Sequence, residues 1–108
     1  NLEAMDDGRV RYRWVARQKT VKMQTLSVYA DVRVIGMQGE KELSLPLNEL
    51  DSEVSRLPLK LEFKYFSINQ GILQLPEGFE PDKVRISLRY TWMDKAQSDQ
   101  KFDWEIEE

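Results

Sequence analysis

The sequence predicts an all-β protein, an immunoglobulin-like antiparallel β-sandwich of about seven strands. Three observations carry that expectation. Across residues 84–92, Val84, Ile86, Leu88, Tyr90 and Trp92 fall on every second position, with Arg85, Ser87, Arg89 and Thr91 between them. Successive side chains of a strand point to opposite faces, so this run has one buried and one wet face. Leu59, Leu61, Phe63 and Tyr65 repeat the pattern against Lys60, Glu62 and Lys64. Between the two runs lie Gly71 and the turn-forming residues 76–81, whose Pro76, Gly78 and Pro81 preclude a continuous helix. A small closed β-barrel shares this alternation and is the alternative architecture. A polar face on every strand excludes a parallel sheet covered on both sides.

Taken in order, residues 1–8 read as a frayed lead-in, the end of an upstream segment, with a turn at Asp6-Asp7-Gly8. A single β-sandwich domain is expected over residues 9–108. Its first strand alternates Val10, Tyr12, Trp14 and Ala16 with Arg9, Arg11, Arg13, Val15 and Arg17. Residues 18–24 form a polar connection containing Val21 and Met23. A long strand follows, with Leu26, Val28, Ala30, Val32 and Val34 opposed by Ser27, Tyr29, Asp31 and Arg33. Gly36 and Gly39 bracket a hairpin turn, and Glu40 opens the next strand. Leu43, Leu45 and Leu47 share a face there. Pro46 cannot donate to a ladder, which places that strand at an edge.

Residues 48–56 form either one helical turn capped by Asn48 or a loop crossing between sheets. A strand over residues 59–68 is expected to bulge or twist near Tyr65-Phe66, where its parity breaks. Gly71 is expected to turn the chain into a short strand over residues 72–75. After the strand at 84–92 come a polar loop over residues 94–100 and a last strand with Phe102, Trp104 and Ile106 inward.

A chain of 108 residues fits one domain, and a domain of this size buries roughly 65% of its unfolded surface. Hydrophobic residues are 41% and charged residues 32%, with a net charge of only −3, so both signs are interspersed. Nucleic acid is not an expected partner, because its binders are more basic. With no cysteine there is neither a disulfide framework nor a thiolate site. No apolar run is long enough to span a bilayer. The chain opens at Asn1 without an initiator methionine and reads as a piece of a longer protein.

Several residues resemble a domain of unknown function in bacterial proteins. They are residues 13–18 (RWVARQ), Phe63-Lys64-Tyr65-Phe66, Gly71, Leu75-Pro76-Glu77-Gly78-Phe79 with Pro81 and Val84, and Phe102 with Trp104. The pairing of FKYF with LPEGF is the most specific part. The chain departs from the pattern at Asn69-Gln70-Gly71, where family members tend to carry Glu-Gly. The resemblance implies a single-pass inner-membrane protein with a coiled coil, whose C-terminal β-domain faces the periplasm. It also implies homo-oligomers through a coiled coil outside these residues, and membrane contact only through another segment. Genes of this family tend to neighbour that of a bactofilin-type cytoskeletal polymer, which a periplasmic domain does not touch. The family brings no catalytic residues and no cofactor.

The sequence reads as non-enzymatic. Without histidine or cysteine it lacks the commonest proton shuttle, most zinc ligands and all thiol nucleophiles. Asp31, Glu62, Asp103 and Glu105 fall on outward positions, where pairing with cationic side chains on neighbouring strands is the expected role. Asp94 with Asp99 and Asp6 with Asp7 lack the dense acidic spacing of a calcium loop, so no metal site is expected. Trp14, Trp92, Trp104, Tyr12 and Tyr90 lie on apolar faces and read as core. The candidate partner-binding residues are Arg11, Arg13, Arg33, Arg85 and Arg89, a positive set if their strands adjoin, together with Phe66 and Phe79. Phe79 has a second reading, as a plug at the end of the sandwich. The resulting expectation is a non-catalytic protein–protein interaction or scaffolding domain of a membrane-anchored cell-envelope protein, its partner a protein of the envelope. A binding module for an anionic glycan or cell-wall polymer is the alternative.

Overall fold

In the computed structural model, which describes residues 1–18 and 24–107, alternation becomes strands almost everywhere it occurs. The described residues form β1 (Leu2–Ala4), β2 (Val10–Arg17), β3 (Leu26–Gln38), β4 (Lys41–Pro46) and the single helical turn α1 (Leu47–Leu50). These are followed by β5 (Leu59–Phe63), β6 (Phe66–Leu73), β7 (Phe79–Tyr90), β8 (Ser98–Asp103) and β9 (Ile106–Glu107). The strands build two sheets. One has the order β6-β2-β1-β9; the other has β4-β3-β7-β8, with β5 also paired to β3. Neighbours are antiparallel except β1 and β9, which run parallel. The molecule is an open two-sheet β-sandwich; the closed-barrel alternative does not hold.

The long strands β3 and β7 form its spine, paired from Val28↔Tyr90 to Gln38↔Phe79. Val28, Ala30, Val32 and Val34 of β3 are all buried, as the sequence alternation requires. Across the sandwich Val32 and Val34 meet Leu2, Val10, Tyr12 and Leu73 of the other sheet, with Leu47 and Leu50 of α1 closing one end. A second, smaller cluster gathers Ala16, Val28 and Phe63. Burying apolar side chains contributes about 25 cal/mol per Å², so the inward face of β3 stabilises the sandwich along its length.

Several expectations are corrected. Residues 1–8 are not frayed: Leu2 is buried and β1 pairs with β2 through the turn at Asp6-Asp7-Gly8, where Gly8 has φ +85°. The hairpin after β3 turns at Gly39, with φ +63°. Gly36 instead lies within β3 at a register shift, where a Cβ would strike the Glu80 carbonyl and come within 2.8 Å of the Phe79 ring. The strand expected over residues 59–68 is two strands in different sheets, and the parity break at Tyr65 marks the crossing. Gly71 makes no turn but sits inside β6. Asn48 does not cap α1, whose N-cap is Pro46. β4, which carries Pro46, is indeed at a sheet edge.

At the C-terminal end, β7 stops at Tyr90, so Trp92 leaves the sheet and is 67% exposed, its ring stacked on Tyr90 at 4.8 Å. Phe102 and Ile106 are exposed as well, and the last strand divides into β8 and β9 on opposite sheets. The expected polar loop is shorter, because residues 98–100 already belong to β8. Most of the expected connection over residues 18–24, with Val21 and Met23, lies outside the described residues.

Candidate functional site

The candidate site is the outer face where β6 lies beside β2. Their register pairs Phe66 with Arg17, Ile68 with Val15, Gln70 with Arg13 and Ile72 with Arg11. Tyr12, Ala16 and Leu73 are buried on the inward side, so strand alternation puts these four pairs on the outside. The result is a column of Phe66, Ile68, Gln70 and Ile72 beside a column of Arg11, Arg13, Val15 and Arg17. Phe66 is 56% exposed and Ile68 47%, with Tyr65 equally open at the start of the strand. Arg11 reaches Glu3 of β1 only at 3.9 Å, and Arg13 and Arg17 form no ion pair among the described residues.

The other candidate arginines lie elsewhere. Arg33 and Arg85 sit opposite each other on the outer face of the second sheet, and each is already engaged. Arg33 Nε donates to Asp31 at 2.9 Å, and Arg85 grips Asp99 with two bonds of 2.9 and 2.5 Å. That fork holds the Asp99 carboxyl below its ordinary range. Arg89 stacks over the Tyr29 ring at 4.5 Å and donates to the Met93 carbonyl at 3.2 Å. The positive set therefore divides between opposite faces of the sandwich, and of its members only Arg11 and Arg13 share a face with Phe66, opposite Ile72 and Gln70. Phe79 is 7% exposed and packs in the core, which takes it out of the set of exposed anchors.

Three of the four outward carboxylates are paired with cations, though not always across strands as expected, and Glu105 forms no ion pair among the described residues. Asp103 meets Lys83 on β7, whereas Asp31–Arg33 and Lys60–Glu62 join residues two apart on one strand. Among the described residues no three metal-ligating side chains gather, and no helix is long and apolar enough to cross a membrane.

Two features went unseen in the sequence. Asp51, just past α1, is 3% exposed and accepts a hydrogen bond from Tyr12 Oη at 2.6 Å and one from the Glu53 amide at 2.9 Å. Burial and the neighbouring carboxylate raise the Tyr12 pKa above its ordinary value. Gly71 lies against the pair, because a Cβ there would strike the Asp51 carboxylate. A mid-strand glycine facing a tyrosine was the only available sign, and it depends on a register the sequence does not state. The second feature is a cleft of about 530 Å³ between the sheets on the β8 side, lined by Tyr12, Trp14, Val34, Ile86, Leu88 and Phe102. The Trp14 indole N–H is buried and has no hydrogen-bond partner among the described residues.

Fold and surface together define an open β-sandwich carrying an apolar edge flanked by arginines. Residues 1–86 match the profile of a family of unknown function (DUF6776), so the chain belongs to that family. No curated protein and no solved structure matches it.

Proposed function

We propose that the chain is a non-catalytic protein–protein interaction domain that docks a partner on the β6–β2 face. The observation that carries this reading is the juxtaposition of exposed Phe66 and Ile68 with Arg11, Arg13 and Arg17 on one flat surface. Aromatic and arginine side chains are the residue types that anchor interfaces. A contiguous exposed apolar patch marks such a surface. An envelope protein presenting apolar and acidic side chains is the partner this face fits. Display on the periplasmic side by a membrane-anchored coiled coil belongs to the same proposal and is supported by the resemblance described above.

The glycan alternative is weaker on this geometry. Arg33 and Arg85 are committed to Asp31 and Asp99, so neither of these two candidate arginines is free to hold an anionic polymer. The test is co-purification from membranes with the full protein, comparing wild type, a version lacking these 108 residues, and the variants Phe66→Ala and Arg11→Glu/Arg13→Glu. The domain deletion and both variants are expected to lose the same component. Retention of every component by all of them would sink the proposal.

A further inference from the structure

The free main-chain groups of β6 carry a more specific conclusion. In an antiparallel pair, alternate residues exchange hydrogen bonds with a given neighbour and the intervening ones face away. Arg13 exchanges both main-chain bonds with Asn1 on the β1 side, at 3.0 and 3.1 Å. Tyr12, Trp14 and Ala16 therefore address β6, and their register partners Gly71, Asn69 and Ser67 answer them. The N–H and C=O groups of Phe66, Ile68, Gln70 and Ile72 then point outward along the open flank. The same alternation continues at Gln74, whose amide donates to the Leu50 carbonyl at 2.8 Å. From Phe66 to Ile72 no described strand answers these groups.

Exposed edges are ordinarily blunted by charge, proline or brevity. The other outer strands follow that rule. β4 has Lys41, Glu42 and Pro46; β5 has Lys60 and Glu62; β8 has Asp99, Lys101 and Asp103; β9 is two residues long. β6 is eight residues, FSINQGIL, without a charge or a proline.

We propose that β6 pairs with β6 of a second copy, joining two sandwiches through one continuous sheet. This rests on the reading of the β6–β2 face as an interaction surface and names its first occupant. A second copy fits for three reasons. A neutral strand meets itself with no like charges opposed. An isologous contact closes as a dimer and leaves neither copy of the β6 edge exposed. Centring the pairing on Ile68 also brings the most exposed apolar side chains of the strand, Phe66 and Ile68, together at the axis. In that register Ile68 faces its own copy, Phe66 pairs with Gln70 of the second chain, and both exposed pairs of Phe66 and Ile68 merge into one apolar patch. The arginine columns of β2 then flank the patch on either side.

The experiment is sedimentation equilibrium of the 108-residue chain over a wide concentration range. Wild type is expected to show a reversible monomer–dimer equilibrium. Ile68→Lys opposes two ammonium groups at the symmetry axis and should weaken the dimer at least tenfold. Ile68 is half-exposed, so circular dichroism and thermal unfolding should show the variant folded. Ser44→Lys, on the exposed edge strand β4, should leave the dimer intact. A synthetic FSINQGIL peptide should compete with dimerisation, and the same peptide carrying lysine at the Ile68 position should not. A chain that stays monomeric at all concentrations, or a dimer indifferent to Ile68→Lys, overturns the proposal. A monomeric chain whose full-length parent still captures a Phe66-dependent partner would end the dimer but spare the broader reading. Loss of capture with the dimer intact would do the reverse.

Discussion

Asp51 is the one charged side chain that the described fold takes almost fully out of water. A buried carboxylate is tolerated only with hydrogen bonds to its oxygens, and here the Tyr12 hydroxyl and the Glu53 amide supply them. The bond ties the polar segment after α1 to the middle of β2, and Gly71 leaves room for it. Tyr12→Phe removes a donor and leaves the carboxylate partly unanswered, which should cost about 1–3 kcal/mol in urea unfolding. Gly71→Ala drives a methyl into the carboxylate and should destabilise by about 1–3 kcal/mol through overpacking. The pH dependence has a definite sign. Tyr12 has its folded pKa raised above the ordinary 10.0 by burial and then by Asp51, so its contribution is complete below pH 10. Above that pH the unfolded chain releases a proton that the folded chain keeps, and stability falls. Tyr12→Phe should flatten the alkaline part of the stability curve. An unchanged slope between pH 9 and 11 would show that the bond carries no linkage.

At the scale of elements, alternation was a reliable guide wherever both ends of a strand stay in one sheet. Residues 26–34 and 84–90 could be read directly, because a half-buried strand must place its apolar side chains on one face. Alternation fixes a face but not a sheet, and the strands within residues 59–75 divide between two sheets. The parity break at Tyr65 looked like a bulge; the chain in fact leaves β5 and enters β6 on the opposite layer. The candidate site was legible to the same degree. Phe66 stood out as the exposed aromatic through its broken parity, but whether Arg11 and Arg13 share its face while Arg33 and Arg85 do not depends on pairings that no local pattern encodes. Trp92 shows the converse limit, since its parity is inward but β7 ends two residues earlier. It is mostly exposed and stacks in parallel on Tyr90, so Trp92→Ala should cost only about 0.5–1.5 kcal/mol. A loss of several kcal/mol in chemical denaturation would mean that Trp92 belongs to the core after all.

Over the whole molecule, order runs from a closed side to an open one. On the closed side β3 is held by β7 along one flank and by β4 and β5 along the other, over a core of Val32, Val34, Leu47 and Leu50. On the open side β8 pairs only with β7, and its inward positions are Ser98, Gln100 and Phe102, set against the cleft. Few apolar contacts and an unshared flank lower the free energy of local opening. Amide exchange should therefore be slowest in β3, nearly as slow in the part of β7 facing it, and fastest in β8 and β9. β6 is the informative case. In a monomer its outward amides, at Phe66, Ile68, Gln70 and Ile72, exchange quickly while those of Ser67, Asn69 and Gly71 are protected by β2. In a β6-paired dimer protection should extend to Phe66, Ile68 and Gln70 as concentration rises, with β8 unchanged. Exchange measured by NMR at low and high protein concentration separates the two patterns residue by residue. Protection that rises with concentration at β8 instead would place the contact between copies on the open side of the sandwich.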